Sequence, residues 1–204
     1  MPSIYDLKPK FQSLLRPLSN ALANAGITAN MVTVSAMALS FATGAAILYS
    51  HTFRSLLLLP VILFARMALN AIDGMLAREH NQKTPLGAIL NELGDVFSDA
   101  ALYLPLATFL PFDPSLIVVI VLFALLSEMT GIIGKQIGAS RRYDGPMGKS
   151  DRAFVFGALG LLLGLGLPIF PAVRPVLWIM AVLLFLTIVN RARGALRELG
   201  GATR

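Results

Sequence analysis

Long apolar runs alternate with short polar breaks along nearly the whole chain, and the runs recur at the length a bilayer demands. Those at 30–50, 55–78, 85–110, 115–138, 152–168 and 174–191 are long enough, or nearly so, to cross roughly 30 Å of hydrocarbon as helices. The breaks carry turn chemistry, with Pro and short polar residues at His51–Arg54, Pro111–Pro114 and Pro168–Pro171. No repeat or low-complexity tract divides the sequence. The pattern predicts an all-α integral membrane protein of a single domain, residues 1–204, with six transmembrane helices.

A different periodicity precedes the first run. Over 4–25, Leu7, Phe11, Leu14, Leu15, Leu18 and Leu22 recur at helical spacing, with Lys8, Lys10 and Arg16 elsewhere around the helix. This predicts an amphipathic juxtamembrane helix lying on the membrane surface, bent at Pro17. The alternative is a short helix packed on the spans. Thr28 then stands where an N-cap for span one belongs.

Composition narrows the class. Of 204 residues, 56% are hydrophobic and 14% charged, and mean hydropathy is +0.73, which excludes a soluble enzyme of this size. The absence of cysteine excludes disulfides and thiolate metal sites. The opening MPSIYDLKPKFQSLLRPL lacks a short apolar core before a cleavage site, so a signal peptide is not expected. With six spans, fourteen Lys and Arg fall on one side, only Arg54 and Arg174 on the other, and Arg66 lies mid-span. That bias predicts a multi-pass protein with both termini cytoplasmic, and a bacterial inner membrane is its expected location. Basic residues beside anionic lipid headgroups account for the net charge of +6, so no nucleic-acid partner is expected.

Polar residues then interrupt spans two and three. Arg66, Asn70, Asp73 and Ala77 share one helical face, and Gly87, Asn91, Asp95 and Asp99 share another. Counted outward from the turn near residue 82, Asp73 and Asn91 are each nine residues away, Asn70 and Asp95 twelve and thirteen, Arg66 and Asp99 sixteen and seventeen. On antiparallel neighbours such pairs lie at matching depth. Ionisable groups in a span mark a polar site. Carboxylate and amide oxygens suit a hard divalent cation, Mg²⁺ or Mn²⁺, with Arg78 one turn away as a phosphate fork. Gly74 leaves room for a ligand to approach the backbone.

The segment Asn70–Asp95 resembles the signature of the CDP-alcohol phosphotransferases, DxxDGxxARx₈GxxxDxxxD. Asp73, Gly74, Ala77, Arg78, Gly87 and Asp95 match in register, six of eight fixed positions over 26 residues. Six spans, a juxtamembrane helix and a TPN-like Thr28-Ala29-Asn30 also resemble the family. The resemblance implies a homodimeric, membrane-embedded enzyme of phospholipid biosynthesis with two divalent metals. It would transfer a substituted phosphate, phosphatidyl from CDP-diacylglycerol, to a small alcohol acceptor with release of CMP. It implies metal ligation by Asn70, Asp73, Asn91 and Asp95, with Asp95 also the general base, and nucleotide contacts from Gly74, Ala77, Arg78 and Gly87. Two signature aspartates are replaced, by Asn70 and Asn91, and each replacement removes a negative charge. Glu92 and Asp99 are possible accessory ligands, although Asp99 equally suits neutralisation of Arg66.

A second basic cluster, RRYDGPMGKSDRA, precedes span five. Lys149 within GKS resembles the GKxKT-like segment of some family members. Arg141, Arg142, Lys149 and Arg152 suit a phosphorylated acceptor, or form an ordinary positive-inside loop. Glu128, midway along span four, either satisfies a buried donor or lines the cavity. His51 and His80 lack metal-ligand spacing. Two rival functions fit less of the sequence: a scaffold of the same fold that binds CDP-lipid or lipid, supported by the two asparagines, and a small transporter using Arg66, Asp99 and Glu128 as a relay.

Overall fold

The computed structural model describes residues 4–202, so Arg204 of the basic tally lies outside the described residues. The protein is 83% helical, with no strand among the described residues. Among the described residues seven α-helices follow in order: α1 (Ile4–Asn24), α2 (Ala29–Ser50), α3 (Leu58–Glu79), α4 (Pro85–Tyr103), α5 (Pro114–Gln136), α6 (Lys149–Gly164) and α7 (Phe170–Ala202). Short 3₁₀ turns at Phe53–Leu57 and Leu104–Thr108 lead into α3 and out of α4.

Local chemistry sets these boundaries. Thr28 caps α2 by accepting from the Met31 N–H, and Thr84 caps α4 by accepting from Gly87, with Pro85 at its opening position. Asp113 caps α5 ahead of Pro114. The Asp151 carboxylate reaches back 2.8 Å to the Gly148 N–H, which starts α6 at Lys149, earlier than the apolar run alone suggests. Pro105 cannot donate to an α-helical ladder, and the run 85–110 accordingly leaves α geometry at Tyr103. Helix α7 continues far past the expected end at 191, because RARGALRELGG is rich in strong helix formers.

Among the described residues four elements are long and apolar enough to cross a bilayer: α2, α3 with its preceding turn, α5 and α7. Helix α4 carries three acids and α6 has 16 residues, so neither has that signature. Helix α2 packs on both α3 and α4, α3 on α6, and α5 on α7. Ile47, Leu59, Tyr103, Ile120, Phe156 and Leu184 belong to the main core, where the Tyr103 and Phe156 rings stack 4.2 Å apart. Outward-facing positions are also apolar, including Phe64, Leu122, Trp178 and Phe185, as a lipid-facing surface requires. Helix α1 runs unbroken through Pro17. Its Leu15 and Leu22 pack against Ile72, Met75 and Leu76 of α3, Leu14 and Leu18 are exposed, and Arg16 pairs with Glu79 at 3.0 Å.

The crossing of α2 and α4 is closest at Gly44, where an added Cβ would collide with the Ala101 carbonyl. Gly44→Leu should therefore cost about 1–3 kcal/mol through overpacking, read as a lower unfolding temperature of the detergent-solubilised protein. A comparable leucine at the open Gly200 position should leave it unchanged.

Candidate active site

Helix α3 presents Arg66, Asn70 and Asp73 at four- and three-residue intervals, and α4 faces them with Asp95 and Asp99. Two of the three equal-depth pairs are in contact. Arg66 Nη1 donates to Asp99 Oδ1 at 2.9 Å, and Asn70 Nδ2 donates to Asp95 Oδ1 at 3.2 Å. The third pair does not close: Asp73 is buried and accepts from the Thr33 hydroxyl of α2 at 2.8 Å, whereas Asn91 is exposed.

Lys149, first residue of α6, donates to Asp95 Oδ1, and Arg66 Nη2 lies 3.8 Å from that same oxygen. Asp95 thus takes all these contacts through Oδ1, leaving Oδ2 without a hydrogen bond among the described residues. One turn along α6, Arg152 donates to Asp99 Oδ2 at 3.0 Å and to Glu128 Oε1 of α5 at 3.4 Å. Glu128 also accepts from Arg191 of α7 at 3.2 Å and lies 3.8 Å from Arg141. Arg141 is held chiefly by Glu92. Arg66, Arg152 and Arg191 are each at most 3% exposed, and only pairing makes their burial tolerable.

Of the four cations grouped as acceptor ligands, Arg141, Lys149 and Arg152 therefore enter one ionic network. Arg142 stands apart, bonded to Asp144 at 2.7 Å and Glu198 at 2.6 Å beside a polar pocket that Arg193 and Arg197 also line. Its hydrogen bonds hold the Asp144 carboxyl below the ordinary range. Arg78 is exposed on the last turn of α3, beside Gly74, and forms no ion pair among the described residues. Gly87 lies so close to Asn30 that a Cβ there would sit 2.6 Å from its Oδ1. Ala77 is half-buried on the last turn of α3.

Between α3 and α6 runs a groove of about 580 Å³. Leu63, Phe64, Met67, Phe154 and Leu161 line it, and Arg66, Asn70, Asp99 and Lys149 close its polar end. An apolar trough ending in charged groups has the shape of an amphiphile's site.

The CDP-alcohol phosphatidyltransferase family model matches residues 26–190. The chain belongs to that family. Among its relatives, inner membrane protein YnbA of Escherichia coli (strain K12) is 48% identical over 196 residues, covering 95% of this chain and 96% of the relative. Phosphatidylinositol phosphate synthase of Mycolicibacterium smegmatis is 28% identical, covering 99% and 92%. The same fold occurs in phosphatidylinositol phosphate synthase of Mycobacterium tuberculosis. Its complex with manganese and citrate matches at TM-score 0.75 and 21% identity, covering 88% of this chain and 87% of that one. Its CDP-DAG-bound form matches at TM-score 0.73, covering 88% and 92%. Like other CDP-alcohol phosphatidyltransferases, this is a membrane protein of phospholipid biosynthesis.

Sequence reasoning missed Arg191 and Thr33 and left Glu128 unassigned. A lone acid inside an apolar run was the available signal for Glu128. Arg191 passed as a flanking positive charge, and Thr33 as an ordinary span residue.

Asp99 serves two buried guanidinium groups, so Asp99→Ala should destabilise the protein by about 3–5 kcal/mol. Adding Arg66→Met should recover part of that loss, because Arg152 keeps Glu128. Unfolding temperatures of the single and double variants check both outcomes.

Proposed function

We propose that this protein transfers the phosphatidyl group of CDP-diacylglycerol to an alcohol and releases CMP, with six crossings and both termini cytoplasmic. The observation that carries this reading is the apolar groove ending at Arg66, Asn70 and Lys149, next to an aspartate with one oxygen uncommitted. CDP-DAG bound to the mycobacterial relative of the same fold supports it. So does the manganese bound to that relative.

Among the described residues no three His, Cys, Asp or Glu side chains gather as a metal cluster. Asp73, Asp95 and the amide oxygens of Asn70 and Asn91 are nonetheless an all-oxygen donor set, suited to one Mg²⁺ or Mn²⁺ completed by substrate phosphates. When bound, the cation would neutralise charge on the diphosphate. The groove takes the acyl chains, and Arg78, which forms no ion pair among the described residues, grips the diphosphate. Gly74 gives the Arg78 guanidinium room beside the backbone of α3, and Gly87 lets Asn30 approach α4 closely. Thr33 orients Asp73, and Asn70 and Lys149 fix Asp95 through Oδ1. The acceptor hydroxyl oxygen bonds to the phosphorus bearing diacylglycerol, the P–O bond to CMP breaks, and the hydroxyl proton passes to Asp95 Oδ2.

Purified protein with Mg²⁺ or Mn²⁺ should release CMP from CDP-diacylglycerol when alcohols are supplied. Asp95→Ala should lower that rate at least about a hundredfold. Metal-dependent release undiminished in Asp95→Ala would refute the assignment. Arg78→Ala should raise KM for the CDP-lipid about ten- to a hundredfold.

The scaffold reading draws on one observation, the occupation of Asp95 by Lys149. Restoring Asn70→Asp and Asn91→Asp separates the two. A catalytically weakened chain gains turnover, and one adapted to asparagine does not.

A further inference from the structure

Of the cations that the sequence suggests for a phosphorylated acceptor, Arg141, Lys149 and Arg152 already hold internal anions. Glu128 receives Arg152 at 3.4 Å and Arg191 at 3.2 Å, with Arg141 at 3.8 Å, and its side chain is 14% exposed. Three guanidinium groups converging on one carboxylate make a site for an anion that the chain itself fills. Arg152 has Asp99 as well, and Arg141 has Glu92. Among the described residues, an incoming phosphate ester would find no unpaired guanidinium in this cluster and would be pressed against Glu128 and Asp99.

The ion pairs leave other groups over. Arg66 Nε and Nη2, Arg152 Nε and Nη1, and Arg191 Nε are buried without a hydrogen-bond partner. Such donors need oxygen acceptors, and Asp95 Oδ2 has no donor among the described residues. A hydroxyl meets both demands at once, accepting from a guanidinium N–H and donating to a carboxylate. An ionised phosphate cannot donate, and the ammonium of an amino alcohol cannot accept. Of these arginines Arg152 borders a void of about 10 Å³, shared with Asp95, Asp99, Glu128, Lys149 and the apolar Val96, Val121, Ala124 and Leu125, which has room for one hydroxyl-sized group.

We infer that the acceptor is an uncharged polyol rather than a phosphorylated or amino alcohol, with Glu128 as the residue that sets this choice. The inference rests on the transferase reading and narrows its acceptor class.

The test uses the full-length protein with CDP-diacylglycerol and Mn²⁺, and compares kcat/KM within matched pairs. Glycerol is set against glycerol 3-phosphate, and inositol against inositol 1-phosphate, with serine and choline alongside. The uncharged member of each pair should be favoured at least tenfold. Glu128→Gln should shift the ratio at least tenfold toward the phosphorylated member, whereas Glu128→Asp should keep the original preference. These ratios do not depend on how much of a variant folds. A wild-type preference for the phosphorylated member or for an amino alcohol would overturn the inference, as would a ratio unmoved by Glu128→Gln. Absence of CMP with every acceptor would instead count against the transferase reading. Unfolding temperatures measured with the same pairs then decide the inference separately: stabilisation by the polyol alone supports it, and stabilisation by the phosphorylated member, or by neither, overturns it.

Discussion

A continuous ionic network crosses the interior from α3 to α7: Arg66 to Asp99, Asp99 to Arg152, Arg152 to Glu128, Glu128 to Arg191. Five side chains thereby tie together five helices, α3 to α7. Each member is too costly to bury alone, so the helices carrying them must come together in one arrangement. Apolar packing supplies cohesion but little direction inside a bilayer, because lipid tails are as apolar as leucine. The network supplies the register. It fixes how far α6 slides along α3, and hence where Lys149 meets Asp95.

Much of this was legible in the sequence, for reasons of helix geometry. A rise of about 1.5 Å per residue and a four-residue face repeat place Arg66 opposite Asp99 and Asn70 opposite Asp95 once α3 and α4 are antiparallel neighbours. Thr28 and the prolines at 85 and 114 mark their helix starts because capping is local. What stayed hidden depended on distant helices. No periodicity says that α5 and α7 bring Glu128 and Arg191 to α6, since that adjacency is decided by packing across more than sixty residues of chain. The start of α6 was likewise hidden, because Asp151 and not hydrophobicity sets it.

The same network reshapes how the basic cluster before α6 is understood. A run of arginines and lysines in a sequence suggests capture of an external anion. Here most of that charge is neutralised from within, by Glu92, Asp95, Asp99 and Glu128. Arg78 is exposed at the end of α3, with no ion pair among the described residues. In the proposed reaction the donor's diphosphate and the acceptor would thus face electrostatically different surroundings, although both would approach one aspartate.

Helix α6 is short, and its two ends do different things. Its first turn holds Lys149 and Arg152 in the ionic network, while Phe154, Gly157 and Leu161 form a wall of the apolar groove. A rigid rod of 16 residues cannot shift at one end without moving the other. If, as proposed, an acyl chain fills the groove, its length and unsaturation would bear mechanically on the alignment of Asp95, so that membrane composition would reach the polar centre through a lever rather than through the solvent.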